Sequence, residues 1–192
     1  MKQLIEALKK EGVVNKGSFT LTSGELSDYY FDVKKAIGNP ELLEMMSSLL
    51  AAGIRGKATR EHRERSSNPT EQWPYGHRRM MATCIASIGF GGIPLATAVS
   101  LKLKLPLIMI RNSAKEYGLG KIIEGYIPGP KDNVAVVDDV FSFGTSLEQI
   151  LKQINKTSAK ISGCYVVITC SDKKMHAGIP IYHLIKAEEI ED

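Results

Sequence analysis

Two adjacent carboxylates, Asp138 and Asp139, close a short apolar run, Asn133-Val134-Ala135-Val136-Val137. A loop of small residues follows, Ser142-Phe143-Gly144-Thr145-Ser146. Next come Leu147, Ile150, Leu151 and Ile154 at the i, i+3, i+4, i+7 spacing of an amphipathic helix. Thr145 and Glu148 have the T-x-x-E spacing of a capping box, which predicts a helix start at Thr145. The first N–H groups of a helix have no intrahelical partner, and the dipole is positive there, so such a loop can hold a phosphate. Carboxylates beside a bare phosphate would repel it. They fit a ligand that also carries hydroxyls, with a divalent cation nearby, and a sugar phosphate meets that description.

Gly89-Phe90-Gly91-Gly92 forms a second candidate anion loop, between a strand read at Thr83–Ile88 and a helix read at Ile93–Leu103 with Pro94 in its first turn. Glycines there let anionic oxygens approach backbone N–H groups. Two cations complete the set. Arg111 ends a short strand, Leu107–Ile110, and Lys115 stands in the polar, glycine-spaced stretch 112–121.

These residues need a scaffold. The runs at 83–88, 107–110, 133–137 and 160–169 are apolar and rich in β-branched residues, the composition of strands buried on both faces. They alternate with helical patterns, which predicts an α/β fold with a mostly parallel sheet. The N-terminal third reads as a charged amphipathic helix over 1–12, then a small β unit from Ser18 to Val33 outside the main sheet. A helix follows from Asn39-Pro40, cap and first position, to about Ala52. Ile122–Ile127 reads as a hairpin arm and Ile181–Ile185 as a last short strand.

At 192 residues the chain reads as one domain, 1–192. Residues 54–80 are the exception. They lack period and aliphatic content, and read as a flexible insertion or a segment foreign to the fold, such as the product of a reading-frame error. Their seven Lys and Arg against three Glu equal the whole net charge of +4, so the basicity is local and does not argue for nucleic-acid binding. Three cysteines without C-x-x-C spacing exclude a disulfide framework and a zinc site, and Cys84 and Cys164 read as core. His62, His77, His176 and His183 have no ligand-like spacing. No apolar run is long enough to span a membrane and the N-terminus lacks a signal-peptide core, so a cytoplasmic protein is expected.

The run Val136-Val137-Asp138-Asp139-Val140-x-x-x-Gly144-x-Ser146 resembles the phosphoribosyl pyrophosphate (PRPP) signature of type I phosphoribosyltransferases. Three further stretches make the chain similar to the orotate phosphoribosyltransferase family over residues 1–53 and about 82–170. They are Phe19–Gly24 with Ser27–Asp32, Gly89–Ala96, and Ile110-Arg111 with Ala114–Gly118. The resemblance implies a type I phosphoribosyltransferase-like fold, helices flanking the sheet, with a small hood from the two termini. It implies transfer of 5-phosphoribose from PRPP to orotate with Mg²⁺, giving orotidine 5′-monophosphate and pyrophosphate.

It assigns PRPP to Gly89, Phe90, Gly91, Gly92, Arg111, Lys115 and the run Asp138, Asp139, Val140, Phe141, Ser142, Phe143, Gly144, Thr145 and Ser146. It implies Lys115, Asp138 and Asp139 as the catalytic residues. Orotate falls to Ser23, Gly24, Tyr30, Phe31, Lys34 and Ser142. Mg²⁺ comes with PRPP, reached by Asp138 and Asp139 through water, with no direct protein ligand. The family's mobile loop implies a homodimer in which 112–121 reaches the neighbouring site, with no nucleic-acid or membrane partner. The sequence departs from the family at Thr22, Asn112, Tyr117 and Thr169-Cys170, where Lys, Lys, His and Asp-Arg are usual, the Arg contacting the orotate carboxylate. Two alternatives stay open: a PRPP- or nucleotide-sensing regulator of the same fold without turnover, and a transferase for another base.

Overall fold

The computed structural model describes residues 1–20, 24, 26–56, 81–112 and 122–191. Its central strand is the one that carries the paired aspartates. Numbered in chain order, the strands are β1 (Val14–Thr20), β2 (Leu26–Phe31), β3 (Cys84–Ile88), β4 (Leu107–Ile110), β5 (Ile123–Gly125), β6 (Asn133–Phe141), β7 (Lys160–Thr169), β8 (Met175–His176) and β9 (Ile179–Lys186). The helices are α1 (Lys2–Lys10), α2 (Val33–Ile37), α3 (Pro40–Ile54), α4 (Gly89–Leu103), α5 (Thr145–Ile154) and α6 (Glu188–Glu191). Strands β5-β4-β3-β6-β7-β9-β8 form one sheet, with β6 fourth of seven. Its interior pairings are parallel, while β5 and β8 run antiparallel at the two edges.

The interior strands β3, β6 and β7 are mostly apolar because the sheet is covered on both faces. In β6, Ala135 and Val137 point into one core and Val134 and Val136 into another. β3 alternates likewise, Ile85 to one side and Cys84, Ala86 and Ile88 to the other. The first core is closed by α1, α2, α3 and α4 through residues such as Leu4, Val33, Met46, Leu50 and Leu95. The second is closed by α5 through Leu147, Ile150 and Ile154. Cys84 and Cys164 are buried free thiols, and burial pushes the Cys84 thiol up to about 11.

β1 and β2 form a separate antiparallel pair, as the alternating N-terminal pattern predicts. α3 starts where Asn39-Pro40 predicts. The Asn39 carboxamide oxygen accepts from the N–H of Glu41 at 3.0 Å and of Leu42 at 3.4 Å, and its nitrogen donates to Glu11 at 3.1 Å. Asn39→Ala is expected to lose both the cap and this tie to α1, about 1–2 kcal/mol in urea denaturation; an unchanged midpoint would deny the cap that role. The end of α3 moves the predicted 54–80 boundary. Ile54 is buried as its last residue, and Arg55 donates to the Lys102 carbonyl at 3.2 Å, so residues 54–56 belong to the fold. The remainder of that tract, 57–80, lies outside the described residues.

Candidate active site

The order of the strands fixes where a ligand can enter. From β3 the chain crosses over α4 to β4 on one side, and β6 then adds on the other side of β3. The gap beyond the carboxyl ends of β3 and β6 is therefore a topological switch point, where open α/β sheets bind ligands. β3 pairs with β6 only as far as Ala86 opposite Val136. Past that point β6 continues along β7, Asp138 opposite Val166 and Phe141 opposite Thr169. The aspartates thus lie inside the strand, three and two residues short of its end, rather than terminating it as the composition suggests.

The first turn of α4 faces them. Gly89–Gly92 is helical, not the loop expected from its composition. A Cβ on Gly91 would collide with the Asp139 carboxylate. One on Gly92 would collide with the Ser87 hydroxyl and stand 2.7 Å from Asp138 Oδ1. The glycines are needed because the two carboxylates lean on the helix. Ser87, buried near the end of β3, donates from Oγ to the Val137 carbonyl at 2.7 Å and ties the two strands together below the site.

Asp138 Oδ1 accepts from the Asp139 N–H at 3.0 Å, and Asp139 Oδ1 accepts from the Val140 N–H at 2.9 Å. Asp138 is only 7% exposed. Burial first, and then the neighbouring Asp139 charge, push its carboxyl well above the usual range, against a smaller opposing pull from the Ser146 hydroxyl. A positive charge or a hydroxyl donor brought in with a ligand would favour its ionised form.

The aspartates border a cleft of about 290 Å³. One wall is the loop and helix start, with Val140, Phe141, Ser142, Gly144, Thr145 and Ser146. The other is the β1–β2 unit and α2, with Tyr29, Tyr30, Phe31 and Lys34, and Cys170 also lines the cleft. Successive strand residues alternate in direction. Phe31 roots in the core at 8% exposure, while Tyr30 is 39% exposed and packs on Phe19 at 5.6 Å between ring centres. Lys34 is the one cation among the described residues lining this cleft. Its ammonium pairs with Asp32 at 2.9 Å, donates to the Tyr30 hydroxyl at 3.3 Å and lies 5.6 Å from the Tyr30 ring centre. Burial opposes its charge, but the Asp32 and Tyr30 contacts outweigh it and its pKa is raised.

At the loop, α5 begins at Thr145 as expected, but not through the expected capping box. Gly144 is the N-cap, with φ +91°, and among the described residues no side chain caps the helix. Glu148 instead accepts or shares a proton with His176 Nε2 at 2.8 Å. The N–H groups at the start of α5 are therefore left to a ligand or to solvent.

A second cavity of about 600 Å³ is lined by Gly89, Phe90, Ile93, Met109, Ile110, Arg111, Asn112, Glu124 and Gly125. Arg111 sits there, its Nε donating to Glu124 at 3.0 Å. The first turn of α4 lies between the two cavities, with Gly89 and Phe90 on one and Gly91 and Gly92 against the aspartates of the other. Gly24 is described, with φ +87°, and does not line the cleft. Nor does Phe143. Ser23, Lys115, Thr22 and Tyr117 lie outside the described residues. Among the described residues no three His, Cys, Asp or Glu side chains converge on a metal position. The adjacent aspartates fit a cation held mainly by a ligand's own oxygens.

No protein-family model matches the chain. Among curated proteins it is 35% identical over 167 residues to the orotate phosphoribosyltransferase of Methanothermobacter thermautotrophicus, covering 87% of this chain and 78% of that one. It is 31% identical over 192 aligned positions to that of Pyrococcus furiosus, covering 98% and 93%. The chain belongs to the orotate phosphoribosyltransferase family. The fold agrees: the crystal structure of an orotate phosphoribosyltransferase from Aeropyrum pernix superposes with a TM-score of 0.70 at 22% identity, covering 97% of this chain and 95% of that one.

The end of β7 is where the sequence departs from the pattern expected from the resemblance. Cys170, whose N–H donates to the Phe141 carbonyl at 2.8 Å, reaches the cleft where the resemblance leads one to expect Arg. Neither Lys173 nor Lys174 lines the cleft, and Asp172 is paired with Lys186 at 2.8 Å. Sequence reasoning missed Ser87 and His176, whereas Tyr29 and Cys170 line the cleft from stretches the resemblance already marks. A lone serine in the apolar run Cys84–Ile88 is the signal that could have found Ser87. His176 gave none, because its partner Glu148 is 28 residues away.

Proposed function

We propose that this protein transfers 5-phosphoribose from PRPP to orotate, releasing pyrophosphate, with the cleft between β2 and the Asp138–Ser146 segment as the reaction site. The observation that carries this reading is the uncapped start of α5 beside two carboxylates at the switch point. N–H groups of Ser142 to Ser146 donate to the 5′-phosphate. Asp138 and Asp139 accept from the ribose hydroxyls, and their charge steadies the anomeric carbon as it turns cationic when the bond to pyrophosphate breaks. Mg²⁺, when bound, supplies charge neutralisation on the pyrophosphate oxygens. Arg111 is positioned near Gly89 and Phe90, on the far side of the α4 turn, to meet that leaving group, with Lys115 assigned to the same task by family resemblance.

Lys34 takes the orotate carboxylate, the task left vacant by Cys170. Lys34→Met is expected to raise KM for orotate roughly tenfold or more while leaving KM for PRPP near the wild-type value. An unchanged orotate KM would remove Lys34 from the base site. The presence of Cys170 in that wall supports one other reading, a base without a carboxylate.

The deciding experiment is a spectrophotometric assay of orotate consumption with PRPP and Mg²⁺, run beside uracil and the purine bases. Orotate turnover is expected. Turnover of another base alone would reassign the substrate, and PRPP binding without any turnover would favour a sensor. A homodimer in which the 112–121 loop reaches the neighbouring site is part of the same proposal, as is a cytoplasmic location; among the described residues no helix is long and apolar enough to cross a membrane.

A further inference from the structure

We propose that His176 is a positioning residue that holds the Glu148 carboxylate away from the N-terminus of α5, keeping the first N–H groups of that helix open to the ligand's phosphate. The inference rests on the phosphate-site reading of Ser142–Ser146. The sequence itself poses the difficulty that His176 resolves. A glutamate in the first helical turn is drawn to the unpaired N–H groups and the positive end of the dipole, which are the same groups a phosphate needs. A free Glu148 would therefore compete with the phosphate and repel it.

In the structure Glu148 does neither. Its Oε1 lies 2.8 Å from His176 Nε2, and among the described residues no side chain caps α5. The histidine is the fixed partner of the pair. Its side chain is 13% exposed, against 63% for Glu148. The ring meets Phe141 edge-on, 5.7 Å between centres at 72°. It also lies flush against Gly144, where an added Cβ would come within 2.7 Å of Cε1 and Nε2. Gly144 is thus glycine for two reasons, its φ of +91° and the ring upon it. The two-residue strand β8, paired to β9 through His176 opposite Ile179, delivers the ring to this place. A residue that served only to fill space beside the loop would need no nitrogen aimed at Glu148.

The test compares His176→Ala, His176→Phe, Glu148→Gln and the double variant His176→Ala/Glu148→Gln. KM for PRPP, kcat, and calorimetric binding of ribose 5-phosphate are measured in each. His176→Phe keeps bulk against Gly144 and Phe141 but cannot bond Glu148. Both histidine variants are expected to raise KM for PRPP and weaken ribose 5-phosphate binding roughly tenfold, with kcat within about twofold. The double variant is expected to return both to near the wild-type value, because the released carboxylate is gone. A His176→Phe protein with unchanged affinity, or a double variant as weak as His176→Ala alone, would show that the ring only shapes the loop and would overturn the proposal. Wild-type protein that binds neither ligand would overturn the phosphate-site reading and this inference with it.

Discussion

Asp138→Asn is expected to make the ligand-free protein more stable at neutral pH while cutting turnover by about 10²-fold or more. The two effects have one cause. Asp138 is buried beside the Asp139 carboxylate, and both circumstances disfavour its charge, so its folded-state carboxyl titrates above the ordinary value of 3.8. Where a group's pKa is raised on folding, the stability it contributes is fully present below the ordinary value. It is lost as pH rises through the folded value. The wild-type protein should therefore lose stability as pH climbs from about 4 through that raised value, in the absence of ligand.

Asparagine cannot ionise, and its carbonyl can still accept from the Asp139 N–H at the position Oδ1 holds now. Thermal denaturation at pH 4 should find the two proteins alike; near pH 8 the Asn variant should melt a few degrees higher. The activity loss follows from the same neutrality, since an amide puts no negative charge beside the ribose and one of its two ends is a donor. Equal melting temperatures at pH 8, with activity intact, would mean that Asp138 is neither strained nor used.

The residues show why part of this was legible in the sequence and part was not. The β6 strand, the helix after it and the Asn39-Pro40 start are local: each is written in a run of neighbours whose period or cap chemistry the fold does not override. The paired aspartates stood out because charge at the end of a buried run must be answered by something. Two local readings failed for tertiary reasons. Thr145-x-x-Glu148 has the capping-box spacing, yet His176, 28 residues on, takes the glutamate, and the cap falls to Gly144.

Gly89-Phe90-Gly91-Gly92 has loop composition, because glycine is a poor helix former. Those residues nonetheless open α4, since any side chain at Gly91 or Gly92 would meet the carboxylates of a strand some 45 residues away. The base site was least legible. Tyr30 and Phe31 are adjacent in the expected orotate site, but strand alternation gives one a half-exposed place and the other a place in the core. Cys170 is marked only by its place in the family pattern, not by any local feature of its own.

That close approach sets the sign of a second substitution, Gly92→Ala. In the interior of an exposed helix, glycine to alanine stabilises by about 1 kcal/mol. At Gly92 the new methyl would meet the Ser87 hydroxyl, stand 2.7 Å from Asp138 Oδ1 and 3.2 Å from the Val137 carbonyl oxygen. None of the three can yield cheaply. The carbonyl belongs to the central strand, Ser87 Oγ is bonded to it at 2.7 Å, and Asp138 Oδ1 is held by the Asp139 N–H. Overpacking a buried site costs about 1–3 kcal/mol, and breaking the Ser87 bond adds about 1–3 more. The strain therefore exceeds the helix gain, and a net loss of about 1–5 kcal/mol is expected in urea denaturation, with turnover falling as Asp138 is displaced.

Gly91→Ala should separate the two effects. Its methyl meets the Asp139 carboxylate first, a side chain that can swing, so turnover should fall with a smaller loss of stability. Gly129→Ala is the control, with nothing within 4 Å of the added methyl, and should match the wild type. A Gly92→Ala protein as stable as the wild type would mean that α4 and the aspartates are not in contact, and the site would lose the wall that faces the sugar.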